Sequence, residues 1–280
     1  MEVEELAPAK INLALHVRAR RPDGYHELET LFAFLTHGDV VRVEPADVPS
    51  FRLTGPFAEA LGAAGAGGDD NLVTRAAAAF AAALGGGPWA ITLDKHLPIA
   101  SGIGGGSADA AATLRACARL GGIAADDRRL FTIAEALGAD VPACLLGQSA
   151  IGMGKGERLA PAAGVSGVPV LLVNPGVAVS TAAVFRGWDG IDRGGLVRGD
   201  LLDVAIAGRN DLEPPARALA PVIADVVARL ADLPGVMLAR MSGSGATCFA
   251  LFGDAAVCAD GAAAIRAHAP GWWCLESALA

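Results

Sequence analysis

Leu97-Pro98-Ile99-Ala100-Ser101-Gly102-Ile103-Gly104-Gly105-Gly106-Ser107-Ala108-Asp109 is the stretch on which the fold turns. It stands between residues 89–93, which alternate large and small like a strand, and residues 107–120, which run without a breaker to Gly121-Gly122 like a helix. Glycines at such a turn let successive backbone N–H groups converge with no side chain in the way. The helix start that follows adds unpaired donors and partial positive charge, so the turn suits an anion. No lysine precedes Ser107, which excludes the Walker pattern, and the spacing is not GxGxxG. Taken alone, the turn also reads as a tight connection.

Outward from it, residues 11–17 and 39–43 have strand character, with Arg21-Pro22-Asp23-Gly24 as a tight turn between them. Residues 71–84 form an alanine-rich helix, capped by Asp70 or Asn71 and stopped by Gly85-Gly86-Gly87. A helix over 126–137 places Leu130, Ile133, Ala134 and Leu137 on one face, with Gly138 at its end. Further on come a strand at 170–173, helices near 178–187 and 220–231, and strands at 236–241 and 247–252 around Ser242-Gly243-Ser244-Gly245. A helix at 255–267 and a strand near 272–276 close the chain. Strands and helices alternate without a steady βαβ beat, so the expected class is α+β, with domains at 1–160 and 161–280.

The 280 residues, 53% hydrophobic and 19% charged, suffice for a large core. A net charge of −8 and a pI near 5.1 speak against a nucleic-acid or anionic-membrane surface. Phosphate must therefore be held locally. The five cysteines contain no CxxC pair and are odd in number, which indicates neither a disulfide framework nor a zinc site and points to a reducing compartment. The start, Met1-Glu2-Val3-Glu4-Glu5, lacks the basic-then-apolar order of a secretory signal. The uncharged run 159–185 is broken by Pro161, Gly164, Gly167, Pro169, Pro175 and Gly176, so no membrane span is expected. The expectation is a cytoplasmic protein, a monomer or weak homodimer, that binds neither nucleic acid nor membrane.

Three segments combine with this frame: Ala7-Pro8-Ala9-Lys10-Ile11-Asn12-Leu13, Arg21-Pro22-Asp23-Gly24-Tyr25-His26-Glu27-Leu28, and Met241-Ser242-Gly243-Ser244-Gly245-Ala246-Thr247-Cys248-Phe249. With the glycine loop they resemble the motifs of the GHMP kinase superfamily. Gly138-Ala139-Asp140-Val141-Pro142 and Gly154-Lys155-Gly156-Glu157 are similar to the branch whose substrate is a cytidine-diphosphate-linked methylerythritol. The resemblance runs from Leu6 to about Phe252.

It implies a two-lobed fold. The N-terminal lobe would resemble ribosomal protein S5 domain 2, the C-terminal lobe a ferredoxin-like α/β sandwich, with the active site in the cleft between. It also implies ATP-dependent phosphorylation of the methylerythritol 2-hydroxyl, a step of the non-mevalonate isoprenoid route. In that reading Lys95, Pro98, Ala100, Ser101, Gly102, Ile103, Gly104, Gly105, Gly106 and Ser107 hold ATP, and Ser107 also contacts Mg²⁺. Asp140 accepts the proton of the attacking hydroxyl and Lys10, beside it, offsets charge. Tyr25, His26 and Phe185 take the cytosine, while Asn12 and Thr181 orient the rest of the substrate.

Each residue alone has an ordinary explanation. Asp140 reads as a helix cap or surface carboxylate, Lys10 as a solvated strand end, Phe185 as core, and His26 as a surface group after a turn. His16, His37 and His268 find no partner in the sequence. A homoserine or mevalonate type of kinase, which would not need Tyr25, is the nearest alternative, and a non-catalytic nucleotide sensor on the same fold is another. A panel of alcohols offered with ATP separates the three.

Overall fold

In the computed structural model, which describes residues 1–68 and 70–280, the chain gathers into two compact units. The first consists of Met1–Ala9, His37–Ile99 and Gly104–Gly147, the second of Lys10–Thr36, Ala100–Ile103 and Gln148–Ala280. Strands β1 (Val3–Arg20) and β2 (His26–Pro45), which pair with each other, run through both. They are far longer than the stretches 11–17 and 39–43 expected. Residues 9–17 of β1 are buried on both faces, and polar Lys10, Asn12 and His16 alternate there with apolar Ile11, Leu13, Leu15 and Val17, whereas residues 31–35 of β2 are a buried apolar run with no alternation.

The first unit adds β3 (Ser50–Thr54), the single turn α1 (Ala58–Leu61) with a π-turn over Gly62–Ala66, α2 (Leu72–Leu84) and β4 (Trp89–Asp94). Helices α3 (Gly105–Leu120), α4 (Arg128–Leu137) and α5 (Val141–Leu146) follow. β3 lies parallel to β4 with Phe51 opposite Ile91, and β4 lies antiparallel to the second half of β2 with Leu93 opposite Val41. α3 packs against α2 and α5. Its buried face is mostly alanine (Ala108, Ala110, Ala111, Ala112, Ala116), which permits close helix approach, and Leu114 and Val73 fill the remaining space. Asn71 supplies the cap expected of α2, accepting from Val73 N–H at 2.8 Å.

In the second unit the first half of β2 pairs antiparallel with β5 (Ala150–Gly154), and β5 with β6 (Arg158–Pro161). The rest comprises β7 (Pro169–Asn174), α6 (Thr181–Arg186), α7 (Leu201–Ala207), α8 (Glu213–Leu219), α9 (Val222–Ala231), β8 (Val236–Met241), β9 (Cys248–Phe252), α10 (Ala255–His268) and β10 (Trp273–Ala278). β10, β7, β9 and β8 form one antiparallel sheet in that order, and α9 and α10 pack on it. Ile223, Val226 and Leu230 of α9 and Ile265 of α10 join Leu171, Val173 and Phe252 in its core. Each such side chain contributes about 1.5–3 kcal/mol on burial.

α6 starts later than the expected residue 178. Ser180 takes the cap position, its hydroxyl accepting from Ala183 N–H at 3.3 Å, and the residues before it are not helical. The elements with no sequence signal, β3, α1, α5, β5, β6, α7 and α8, are four to seven residues long, too short for a period to show. Among the described residues no helix is long and apolar enough to cross a membrane.

Candidate active site

Within the first unit the glycine loop leads into α3, which begins at Gly105 rather than at the expected Ser107. Gly104 caps the helix in the left-handed region, φ 67°, and no side chain caps it. The N–H groups of Gly105, Gly106 and Ser107 thus have no partner inside the helix, and these residues are half-buried or exposed. An anion in this turn meets those donors and the positive end of a 16-residue helix.

Directly beneath, the Lys95 ammonium is enclosed, with the residue 2% exposed. It donates to Asp39 Oδ2 at 2.5 Å and to Asp109 Oδ2 at 2.7 Å. Asp39 Oδ1 accepts the backbone N–H groups of His96 at 2.6 Å and Leu97 at 2.8 Å. Burial alone would lower the Lys95 ammonium; the carboxylates of Asp109 and Asp39 outweigh it and hold the pKa above its ordinary value. Burial pushes the Asp109 carboxyl well above the usual carboxylate range against the pull of Lys95, and Oδ1 of Asp109 is buried with no partner. Lys95 thus turns its charge inward, to carboxylates. Asp140 is half-buried at the N-cap of α5 and makes no side-chain cap bond; Pro142 lies in the first turn after it.

In the second unit, loop residues Ala100–Ile103 are pinned by three bonds. Lys10 N–H donates to Ile103 O at 2.9 Å, Thr247 N–H to Ser101 O at 3.1 Å, and the Ser242 hydroxyl to Gly102 O at 3.0 Å. Ser101 and Ile103 are buried, and Ala100 is held at φ 48°. The Lys10 side chain is 3% exposed, donates to Asn12 Oδ1 at 3.1 Å and lies 5.3 Å from the Phe32 ring centre. Asn12 donates through Nδ2 to Thr30 Oγ1 at 2.8 Å and through its backbone to Ser242 Oγ at 3.1 Å. The strand β1 therefore presents a buried cation and a fixed amide two residues apart, on one strand face.

Also in this unit, Tyr25 stands 53% exposed with Lys155 Nζ 4.7 Å from its ring centre. The His26 ring lies 5.0 Å from that of Phe185 and 5.8 Å edge-on to that of Trp188. Burial, then the Arg20 charge, lowers the His26 pKa and keeps the imidazole neutral. His26 Nε2 and Trp188 Nε1 are both buried without a partner. Thr181 opens α6, its hydroxyl 2.9 Å from that of Ser244. The structure thus groups Lys10, Asn12 and residues 101–103 in one place, and His26 with Phe185 in another. It keeps Gly104, Gly105, Gly106 and Ser107 with Lys95 in the first unit, where Asp140 and the half-buried Pro98 also lie.

Sequence reasoning missed Asp39, Trp188 and Arg20, and it quoted Asp109 only as the end of the glycine stretch. Asp109 reads as an ordinary charge on an alanine helix until its face is known to be inside. Trp188 left no local signal either: its backbone carbonyl accepts from Arg20 at 2.6 Å, a contact 168 residues apart in the chain. His16, without a partner in the sequence, donates through Nδ1 to Gly194 O at 3.0 Å and accepts from Arg209 N–H at 3.2 Å.

The GHMP kinases N terminal domain matches residues 71–148 and the GHMP kinases C terminal domain matches residues 193–269. The 4-diphosphocytidyl-2-C-methyl-D-erythritol kinase of Rhizorhabdus wittichii is 57% identical over 100% of this chain and 95% of its own length. That of Novosphingobium aromaticivorans is 50% identical over 100% and 93%. A crystal structure of 4-(cytidine 5'-diphospho)-2C-methyl-D-erythritol kinase, 38% identical, superposes with a TM-score of 0.80 over 99% of each chain. Homoserine kinase from Cytophaga hutchinsonii, 20% identical, shares the fold at a TM-score of 0.73. With two sheets of α+β topology, an uncapped helix start behind a glycine loop and full-length relatives at this identity, the chain belongs to the GHMP kinase family.

Proposed function

We propose that this chain is an ATP-dependent kinase that transfers a phosphoryl group to the 2-hydroxyl of 4-diphosphocytidyl-2-C-methyl-D-erythritol, in the non-mevalonate route to isoprenoid precursors. The observation that carries the reading is identity of 57% across the whole chain to a relative of that name. The uncapped first turn of α3 supports it, since phosphoryl transfer asks for held phosphates and an aligned alcohol more than for covalent chemistry.

Gly104, Gly105, Gly106 and Ser107 hold the ATP phosphates through backbone donors. Pro98, Ala100, Ser101, Gly102 and Ile103 fix the path of the loop into that turn. Asp140 accepts the proton of the attacking hydroxyl, and the Lys10 ammonium stabilises charge on the transferring oxygens. Tyr25 and Phe185 offer faces to the cytosine and the neutral His26 offers hydrogen bonds to its edge, while Asn12 and Thr181 orient the polyol and diphosphate. Lys95 acts from beneath the loop.

Magnesium fits the donors present. Mg²⁺ takes hard oxygen ligands and usually keeps water and substrate phosphates, so one protein hydroxyl suffices, and Ser107 in the first turn of α3 provides it. Bound there, the ion would neutralise charge building on the phosphates.

The test is incubation with ATP, Mg²⁺ and a panel of alcohols, with ³¹P NMR of the product. A new monoester at the 2-position of the cytidine substrate is expected. Turnover of homoserine or mevalonate in its place would sink the reading, and ATP binding without turnover of any alcohol would favour a sensor.

A further inference from the structure

The first unit holds three buried charges that no step of the transfer uses. Asp39 sits in β2, Lys95 just past the end of β4 and Asp109 in the second turn of α3, and all three are nearly enclosed. A buried ion pair gains little over apolar packing of the same volume, and this group sets two carboxyl groups against one ammonium. Helix α3 is already held by apolar contact with α2 and α5. Stability alone gives no reason for the group.

Its geometry gives one. Asp39 fastens the chain where it enters the loop, through the N–H groups of His96 and Leu97, and at the same time holds Lys95 Nζ. Lys95 in turn fastens the chain where it leaves the loop, through Asp109. Gly105, the first helical residue, rests on this joint: a Cβ added there would lie 3.1 Å from Lys95 Nζ and 3.8 Å from Asp39 Oδ2. Gly105 has no left-handed φ, so close approach rather than backbone freedom accounts for its being glycine.

We propose that Asp39, Lys95 and Asp109 form a clamp that joins the two ends of the glycine loop and so sets the affinity for ATP, as positioning residues that touch no nucleotide. The proposal rests on the reading that this loop holds the ATP phosphates. Donors that are already aligned bind an anion without the cost of ordering the loop. A loosened clamp raises the KM for ATP and leaves the chemistry at saturation alone, because Asp140 and Lys10 are not part of it.

Steady-state kinetics on the full chain, with a calorimetric titration of ATP, test this in three variants. Asp109→Leu keeps the branched outline of the side chain but offers Lys95 no acceptor; the KM for ATP should rise about tenfold, with kcat and the KM for the alcohol changed less than about twofold. Asp109→Asn keeps an oxygen for Lys95 and should restore the KM for ATP to within about twofold of the parent. Asp109→Ala, which also removes the acceptor but adds no bulk, should raise the same constant by about as much, and it decides the matter if Asp109→Leu does not fold. An unchanged KM for ATP in Asp109→Leu and Asp109→Ala overturns the clamp alone, as does Asp109→Asn matching Asp109→Leu or all constants falling together. No ATP binding by the parent chain would take down the reading of the loop, and the clamp with it.

Discussion

Two glycine-rich turns, Gly104–Ser107 and Ser242–Gly245, look alike in composition and differ in almost everything else. At the first, the backbone donors have no partner within the helix they open and the residues are half-buried or exposed. At the second every residue is buried, and the polar groups are used internally. Ser242 N–H donates to Thr247 O, Gly245 N–H to Ser242 O, and Asn210 Nδ2 reaches both Met241 O and Gly243 O at 2.8 Å. Asn12 N–H and Gly102 O share the Ser242 hydroxyl. The glycines of the first turn keep donors open, while those of the second let backbones meet. Partners, not composition, separate a ligand turn from a packing turn.

Substitutions break this contrast in graded ways. The largest effect belongs to the reacting carboxylate: Asp140→Asn should cut kcat by about 10²–10⁴-fold, roughly 3–5 kcal/mol on the barrier, with the KM for ATP little changed. Near-normal turnover by stopped assay would remove Asp140 from the mechanism and leave the open turn without a base to serve.

Gly102→Ala comes next and strikes folding. Gly102 has φ +78°, and its added Cβ would lie 2.7 Å from the backbone oxygens of Ser242 and Gly245, atoms that cannot swing aside. The left-handed backbone costs about 1–2 kcal/mol and the overpacking about 1–3 more, enough to lower Tm by several degrees. A melt that matches the parent would show that the second turn is not the close-packed element described. Gly106→Ala is its counterpart on the open side: φ is ordinary and the new Cβ meets only Leu72 Cδ1 at 3.5 Å. Tm should hold and the KM for ATP should rise severalfold, since a methyl group now borders the donors; a lowered Tm with unchanged KM would reverse the assignment of the two turns.

How much of this was legible follows from range. The glycine loop, the helix after it and the Asn71 cap are local, so residue order reveals them. The middle of β1 showed through the alternation of Lys10, Asn12 and His16 with apolar neighbours, but the length of β2 was hidden because residues 31–35 are buried on both faces and alternate no polarity. Lys95 was visible as a lone lysine next to the loop, but its direction was not. That depends on Asp39, 56 residues upstream, and on Asp109, whose charge looks like any helix surface until the helix face is known to be inside. The His26–Trp188 contact depends on a chain reversal of more than 160 residues and leaves no trace in local pattern.

The smallest expected effect concerns His16 in β1 and sharpens the packed side of the contrast through pH. Its ring is 2% exposed and held from both nitrogens: Nδ1–H donates to Gly194 O and Nε2 accepts from Arg209 N–H. A proton on Nε2 would face that N–H, and burial, then the Arg209 charge, depresses the pKa below 6.5 in the fold. The unfolded chain therefore takes up a proton at higher pH than the folded one. The stabilisation is complete above about pH 6.5 and is lost as pH falls toward the depressed value. Melts stepped from pH 7.5 to 5.5 should show Tm falling, and His16→Gln, which cannot titrate there, should have a lower Tm at pH 7.5 but a shallower fall. The slope should shrink without vanishing, because His26 is depressed in the same direction. An identical slope in the two proteins would mean that the ring is not held by both nitrogens, leaving the 194–209 segment fastened to β1 by other bonds, such as those of Arg240 to Leu13 O, Ala205 O and Gly208 O.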